Sequence, residues 1–347
     1  MNFDGYLRDL RSARFYKDQI VHVERIPERY AVYGELNEPL LPALQNSLSS
    51  LGVQRLYLHQ AASINAARAG RNVTVVTGTA SGKTLCYNLP ILEAVLQDTS
   101  ARALYLFPTK ALAQDQLGKL DSFGLFPVVR YGPYDGDTLA AERRAIRQNA
   151  HIVLTNPDML HIGILPNHSA WSRFLRNLRY VVVDEMHSYR GVFGAHVAQL
   201  LRRLVRICEH YKAHPRFLCC SATIANPAHL TARLTGTEDF LVIDENGAPS
   251  GPRTFVFWNP PVVDYRDGSR RSAHVESAAL FADLVGQEIR TIAFARARKS
   301  VELILKYSQA EFQAKTPEFS SRVRSYRAGY TATERREIEK RLFGGQL

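Results

Sequence analysis

The strongest constraint on the fold is a loop of small residues between a β-branched run and a helical stretch. Residues 77–84 read Thr-Gly-Thr-Ala-Ser-Gly-Lys-Thr, follow the run Val73–Val76 and precede the periodic segment Leu85–Leu96. Small residues let backbone N–H groups converge on one anion, and a helix N-terminus adds partial positive charge. This arrangement is typical of a nucleotide-phosphate site. We therefore predict a phosphate-binding loop at this position.

The same loop predicts the cofactors, ATP and Mg²⁺. We expect Lys83 to pair with the β- and γ-phosphates and the Thr84 hydroxyl to bind Mg²⁺. The strict pattern has glycine at position 77, where this chain has Thr77. The remaining residues that we expect to surround the phosphates are Thr79, Ala80, Ser81 and Gly82.

An acidic pair completes the predicted nucleotide site. Asp184 and Glu185 directly follow the apolar run Tyr180–Val183, and the end of a parallel strand is where ligands bind. We expect Asp184 to hold Mg²⁺ and Glu185 to orient or deprotonate the attacking water. An isolated acidic pair of this kind is more often a solvated strand end, but its position downstream of Lys83 fits one nucleotide-binding domain. By itself His187 could be an ordinary loop histidine, but next to the acidic pair we expect it to couple nucleotide state to motion.

Short apolar runs alternate with helical patterns over the middle of the chain. Strands without polar alternation, separated by helices, indicate a parallel sheet covered on both faces. The fold class is therefore predicted to be α/β. The predicted strands are Val73–Val76, Ala103–Phe107, His151–Leu154, Tyr180–Val183 and Phe217–Cys220.

Turn-forming residues divide the chain. Residues 1–45 contain three prolines and predict an N-terminal extension, and the Gly- and Pro-rich stretch near Asp244–Arg253 predicts a domain boundary. The predicted domains are residues 46–246 and 253–347. The second has only three predicted strands, over residues 254–258, 291–294 and 323–326, so we expect it to be incomplete.

Composition limits the environment and the partners. Hydrophobic residues make up 46% of the chain, and neither a signal peptide nor an apolar run of membrane-spanning length is present. The cysteines show no zinc or redox spacing, which predicts free buried thiols and a cytoplasmic or nuclear location. They are Cys86, Cys208, Cys219 and Cys220. The net charge of +11 favours a nucleic-acid partner about as much as a generic basic surface.

Six short segments, taken in order, resemble the DExH helicases of superfamily 2, and most closely the branch of the MrfA/YprA and Hrq-type helicases. The resemblance covers essentially the full chain. Each segment alone is weakly specific, whereas their order and spacing are highly specific. The segments are Leu56–Gln60, Thr77–Pro90, Pro108–Leu112, Thr155–Leu160, Asp184–His187 and Ser221–Pro227.

The resemblance implies a RecA-like P-loop NTPase domain followed by an incomplete second RecA-like domain. It also implies an ATP-dependent helicase or translocase that moves 3′ to 5′ along single-stranded DNA, in DNA repair. Gln60 would contact the adenine, and Ser221, Ala222 and Thr223 would link hydrolysis to domain motion. Residues that would touch nucleic acid are Pro108, Thr109, Lys110, Thr155, Asn156, Asp158 and, in the second unit, Arg327.

Two later motifs of that family, including the one that supplies an arginine finger, have no counterpart before Leu347. Since this arginine stabilises charge in the transition state, we expect the chain alone to be weak or inactive as an ATPase. The alternatives are a superfamily 2 helicase that acts on RNA and a catalytically idle module that binds nucleic acid. A small-molecule kinase would leave the segments around Thr109 and Ala222 unexplained.

Overall fold

A computed structural model describes residues 3–13, 15–327 and 329–347. The chain forms two compact units: one is Pro27–Gly251, and the other joins the residues up to Ile26 with Pro252–Leu347. The N-terminal residues belong to the second unit because β1 (Ile20–Ile26) pairs in antiparallel fashion with β9 (Arg253–Trp258). The predicted extension over residues 1–45 is thus divided between the two units.

The larger unit contains a parallel sheet of seven strands in the order β4-β5-β3-β6-β7-β2-β8. It includes all five strands predicted for this region. The two additional strands, β4 and β8, have three residues each, too few to give a recognisable pattern. The strands are β2 (Val73–Val76), β3 (Arg102–Leu106), β4 (Tyr131–Pro133), β5 (Ile152–Thr155), β6 (Leu178–Val183), β7 (Arg216–Ser221) and β8 (Leu241–Ile243).

Helices cover both faces of this sheet. Alternate residues of one strand enter different cores: Tyr105 packs in one cluster, and Leu104 and Leu106 pack in the other. Because both faces are buried, the strands are apolar without alternation. The helices are α2 (Pro42–Ser50), α3 (Leu58–Arg68), α4 (Lys83–Gln97), α5 (Lys110–Asp121), α6 (Ala140–Asn149), α7 (Pro157–Met159), α8 (Ser172–Arg176), α9 (Gly191–His210) and α10 (Pro227–Thr235). A π-helical turn (Leu160–Ile164) and 3₁₀ turns (Leu165–Trp171 and Met186–Ser188) complete the unit.

The smaller unit departs from the prediction. Of its three predicted strands, only residues 254–258 form one, and that strand is antiparallel to β1. Within the described residues, 291–294 and 323–326 have no strand partner, and without a partner the backbone groups of a strand remain unpaired. Its other elements are α1 (Phe3–Ser12), β10 (Val262–Asp264), β11 (Ser269–Arg270), α11 (Ala273–Gly286), α12 (Arg298–Lys315), a 3₁₀ turn (Pro317–Arg322) and α13 (Ala332–Phe343).

The structure also bears on the state of the cysteines and on membrane-spanning helices. All four cysteines are buried and free, which confirms the prediction from their spacing. Among the described residues, we find no helix with the length and apolar character needed to cross a membrane.

A buried histidine at the start of β5 makes the stability of the larger unit depend on pH. His151 is 2% exposed, and its Nδ1 accepts a hydrogen bond of 2.9 Å from the backbone N–H of Arg130. Burial, with the positive charges of Arg102 and Arg130, lowers the pKa of His151 to about 4. Between about pH 6.5 and pH 4, His151 is therefore protonated in the unfolded chain but neutral in the folded chain. The free energy of unfolding consequently falls as the pH drops through this range.

Because of His151, we expect the free energy of unfolding to be about 2 kcal/mol lower at about pH 5 than at about pH 7.5. Urea unfolding curves at both pH values measure the loss, and His151→Gln, which cannot be protonated, is the control. The variant should lose less stability than the original chain over this interval. Equal losses in the two proteins would show that other groups cause the pH dependence.

Candidate nucleotide-binding site

The phosphate loop and the acidic pair lie at one edge of the sheet. The loop follows β2, Asp184 follows β6, and β7 lies between these strands. Val76 pairs with Ser221 at the end of β7, so the segment that begins at Ser221 separates the two motifs. The structure therefore brings together three groups of residues that are far apart in the sequence.

Hydrogen bonds from its own side chains hold the phosphate loop in its conformation. The Lys83 ammonium donates hydrogen bonds to the carbonyls of Thr77 (2.9 Å) and Gly78 (2.7 Å). The hydroxyl groups of Thr77 and Ser81 lie 2.7 Å apart and share a hydrogen bond. This contact gives Thr77 a role that glycine could not fill. Ala80 has a positive φ of 58°, which continues the tight turn.

Gln60, in α3, is hydrogen-bonded to the phosphate loop. Its Nε2 donates to the Gly82 carbonyl (3.0 Å), and its Oε1 accepts from the Tyr57 backbone N–H (2.9 Å). Gly82 has a φ of +77°, and a Cβ added there would lie 2.5 Å from Gln60 Nε2. The positive φ thus favours glycine, and a larger residue would displace the Gln60 amide. Both ends of the Gln60 amide are engaged within the protein, and its contact with adenine stays a prediction.

His59 is a site residue that the sequence analysis missed. It is fully buried, and its Nε2 lies 3.0 Å from the Ser81 carbonyl. Its Nδ1 accepts a 3.3 Å hydrogen bond from the Gly247 backbone N–H. A neutral ring protonated at Nε2 satisfies both contacts, and burial lowers the pKa of His59, which favours this form. The histidine thereby ties the phosphate loop to the chain after β8.

Asp184 follows β6 at the sheet edge where the phosphate loop lies. Its carboxylate is nearly buried and accepts hydrogen bonds from the Tyr87 hydroxyl (2.9 Å) and the Glu185 backbone N–H (2.8 Å). Burial raises the pKa of Asp184, because the anion lacks full compensation there. A divalent cation would supply that compensation. Mg²⁺ uses one or two protein oxygen ligands beside phosphates and water, and the Asp184 carboxylate is of that kind, whereas joint binding of Mg²⁺ by Asp184 and Thr84 stays a prediction.

His187 links the acidic pair to the segment after β7. Its Nδ1 lies 3.3 Å from a Glu185 carboxylate oxygen, 3.3 Å from the Ala222 backbone nitrogen and 3.4 Å from Ser221 Oγ. Without a proton, Nδ1 accepts from the Ala222 backbone N–H, whereas with a proton it donates to Glu185. These contacts connect the predicted coupling residues, except for Thr223, which is exposed.

The predicted nucleic-acid residues of the larger unit lie at the ends of β3 and β5, which are neighbours. We call these six residues the β3–β5 surface: Pro108, Thr109, Lys110, Thr155, Asn156 and Asp158. Thr109 accepts a 3.3 Å hydrogen bond from the Leu112 N–H and caps α5. The Lys110 ammonium lies 2.8 Å from an Asp137 carboxylate oxygen. Lys110 and Thr109 are exposed and Pro108 is half-buried.

Two further residues of this surface, Thr155 and Asn156, also make structural contacts. The Thr155 hydroxyl is buried and donates to the Tyr134 carbonyl (2.7 Å). Asn156 Oδ1 accepts from the Met159 N–H (2.9 Å) and caps α7. Asp158 is exposed. The hydroxyl of Thr155 is therefore held away from solvent, whereas Asp158 remains accessible.

Arg327 lies in the smaller unit. Its Nε is 2.7 Å from a Glu302 carboxylate oxygen, and its guanidinium lies 4.8 Å from the centroid of the Tyr330 ring. Both partners belong to the same unit, and the contact of Arg327 with nucleic acid stays a prediction. The next residue, Ala328, lies outside the described residues.

Comparison with known proteins agrees with this geometry. Residues 57–230 match the family described as DEAD/DEAH box helicase. The chain is 46% identical to the ATP-dependent helicase YprA of Bacillus subtilis, over 95% of this chain and 44% of that protein. It is 41% identical to the ATP-dependent helicase hrq1 of Schizosaccharomyces pombe, over 100% of this chain and 34% of that protein.

A solved structure shows the same fold. The crystal structure of the DUF1998 helicase MrfA bound to DNA superposes with a TM-score of 0.91 at 44% identity, over 99% of this chain and 46% of that one. The chain thus spans less than half the length of each of these relatives. The predicted RecA-like fold of the larger unit is confirmed.

Proposed function

Because the chain belongs to the DEAD/DEAH box helicase family, we propose that it forms the ATP-binding part of a helicase or translocase motor that acts on DNA. The observation that carries this proposal is the meeting of the phosphate loop, the acidic pair and the segment from Ser221 at one sheet edge. ATP would bind at the loop with its phosphates on Lys83. Thr84 and Asp184 would hold Mg²⁺, and Glu185 would orient the attacking water.

DNA is the favoured polymer. MrfA, at 44% identity, is described as bound to DNA, and the β3–β5 surface lies at the same sheet edge as the nucleotide. Contacts there would grip phosphates without reading bases, which suits movement along any sequence. Movement 3′ to 5′, a role in DNA repair and a cytoplasmic or nuclear location are part of the proposal and rest on the family resemblance and the free cysteines. RNA is the second candidate polymer.

We expect ATP and single-stranded DNA to bind with positive coupling. Nucleotide would change the contacts of His187 with Glu185 and Ala222, and through them the strand ends. Coupling free energies between sites are typically worth about 5- to 150-fold in affinity. Fluorescence anisotropy with a labelled single strand, with and without a non-hydrolysable ATP analogue and Mg²⁺, measures the factor. We expect at least about a fivefold change for DNA.

The reciprocal measurement is a strict control, because DNA must change the affinity for nucleotide by the same factor. If nucleotide changed the affinity for RNA more than the affinity for DNA, RNA would be the polymer on which the motor acts. Tight DNA binding that nucleotide does not alter would indicate an idle binding module. No nucleotide binding at all would remove the proposal.

A further inference from the structure

The sheet edge opposite the nucleotide site is strongly basic. In a parallel sheet, the amino ends of the strands share one edge, and six residues of β6 span roughly 20 Å. Two cavities open at this amino edge, near the starts of β6 and β7 and the end of α9. They are far from the phosphate loop, so the nucleotide site does not explain them.

The first cavity has a volume of about 380 Å³ and is lined by Arg176, Arg179, His214 and Arg216, among others. All four of these side chains are exposed. Arg179 pairs with Asp98. Among the residues that the structure describes, neither Arg176 nor Arg216 has an acidic partner within salt-bridge distance.

The second cavity has a volume of about 330 Å³ and is lined by His168, Arg203, Arg206, Ile207 and His210. Arg203 donates a 2.8 Å hydrogen bond to His161 Nδ1. Arg206 has no acidic partner in the described part of the chain. The α8 and α9 helices contact each other, so the two cavities belong to one region. We call the arginines and histidines that line them the basic edge: Arg176, Arg179, His214, Arg216, His168, Arg203, Arg206 and His210.

Few anions compensate this region. Residues 161–183 contain three arginines and no Asp or Glu, and residues 190–216 contain six Lys or Arg with Glu209 as their only acid. Behind the surface, Arg102 is buried and donates to the carbonyls of Thr99, Ser100 and Ala101. Burial and the nearby Arg173 and Arg130 lower the pKa of Arg102. Apart from Asp98 and Glu209, the positive charge at this edge is therefore uncompensated among the described residues.

We propose that the basic edge binds the phosphodiester backbone of nucleic acid, separately from the β3–β5 surface. Guanidinium groups recognise phosphates bidentately, and exposed arginines without acidic partners are free to do so. Backbone contacts of this kind hold a nucleic acid without reading its sequence. The inference deepens the proposed function, on which it rests for the class of partner. It adds a second point of attachment that does not depend on nucleotide.

The test removes one arginine from each cavity, in the double variant Arg206→Gln/Arg216→Gln. Binding of a short single strand and of a duplex, both of mixed sequence, is measured over a range of salt concentrations. The logarithm of the association constant K falls linearly with the logarithm of the salt concentration. Each lost phosphate contact makes this fall less steep, by about 0.7 for a single strand and 0.9 for a duplex. We therefore expect the slope to fall by about 1.4 or 1.8, with binding roughly tenfold weaker at low salt.

The matched control is Arg55→Gln/Lys119→Gln, which removes the same charge from exposed residues that line neither cavity. Its slope should stay unchanged, and thermal unfolding checks that both double variants are folded. Equal effects in the two would mean that net charge alone acts, and no effect in the first would mean that the edge does not touch nucleic acid. Either result overturns the inference.

A third variant, Lys110→Gln, separates this inference from the proposed function. If the β3–β5 surface binds DNA, Lys110→Gln weakens binding of the single strand. If only the proposed function fails, Lys110→Gln has no effect and the double variant still lowers the slope. If only the basic edge fails, the outcomes are reversed. Comparison of the two probes shows whether the edge takes a single strand or a duplex.

Discussion

Replacing Lys83 with alanine is expected to weaken ATP binding and to reduce the ATP turnover that this chain shows by at least about a hundredfold. The ammonium now bonds to the carbonyls of Thr77 and Gly78, and it would exchange these weak partners for the β- and γ-phosphates. Removal of one preorganised donor to a developing anion costs about 10²–10³ in rate. Titration with a fluorescent ATP analogue measures the first effect, and phosphate release measures the second.

The control is Lys119→Ala, which removes an exposed lysine from the end of α5 in the same unit. Its affinity for nucleotide should match that of the original chain. Thermal unfolding of Lys83→Ala without nucleotide shows whether the two freed carbonyls destabilise the loop. If the folded variant still binds ATP with nearly the original affinity, the loop does not hold the phosphates as proposed.

The sheet of the larger unit was predictable because its strands are buried on both faces. Val73–Val76 matches the observed strand at both ends, and all four residues are buried. Such a run is apolar whatever its neighbours are, so the sequence alone identifies it. The sequence does not reveal the strand order, which depends on pairings between distant segments such as Val73 with Leu218 and Leu241.

The smaller unit was less predictable for a physical reason. Residues 291–294 have the composition of a strand, but a strand also needs partners, and the described residues offer none. Ile292 and Phe294 are instead 66% and 88% exposed. The pairing of β1 with β9 was missed because β1 has charged and polar residues among its apolar ones, and its partner lies more than two hundred residues away.

In the candidate site, too, some residues could be predicted from the sequence and others only from the fold. Motif patterns identify Lys83 and Asp184 because their chemistry requires those residue types near each other on the sheet. The supporting residues His59 and Tyr87 lie within motif segments, but the sequence gives them no role, since their contacts with Ser81 and Asp184 arise only when the chain is folded. The sequence predicts which groups act, and the structure adds what holds them.

Substitution of Glu185 by glutamine should separate hydrolysis from binding. We expect ATP turnover to fall by about 10²–10⁴, because a positioned general base contributes that much, while affinity for ATP stays within about threefold, since the amide changes neither the Lys83 loop nor Asp184. Glu185 follows Asp184 with a positive φ of 49°, which turns its backbone away from the strand direction. Single-turnover hydrolysis and equilibrium binding of the analogue give the two quantities.

The matched variant is Asp184→Asn, which keeps the shape of the neighbouring side chain and removes its charge. This carboxylate is the proposed Mg²⁺ ligand, so its loss should raise the Mg²⁺ concentration needed for nucleotide binding, an effect that Glu185→Gln should lack. Equal magnesium dependence in the two variants would show that these adjacent carboxylates do not divide their roles as proposed. A loss of less than tenfold in turnover for Glu185→Gln would assign activation of the water to another group.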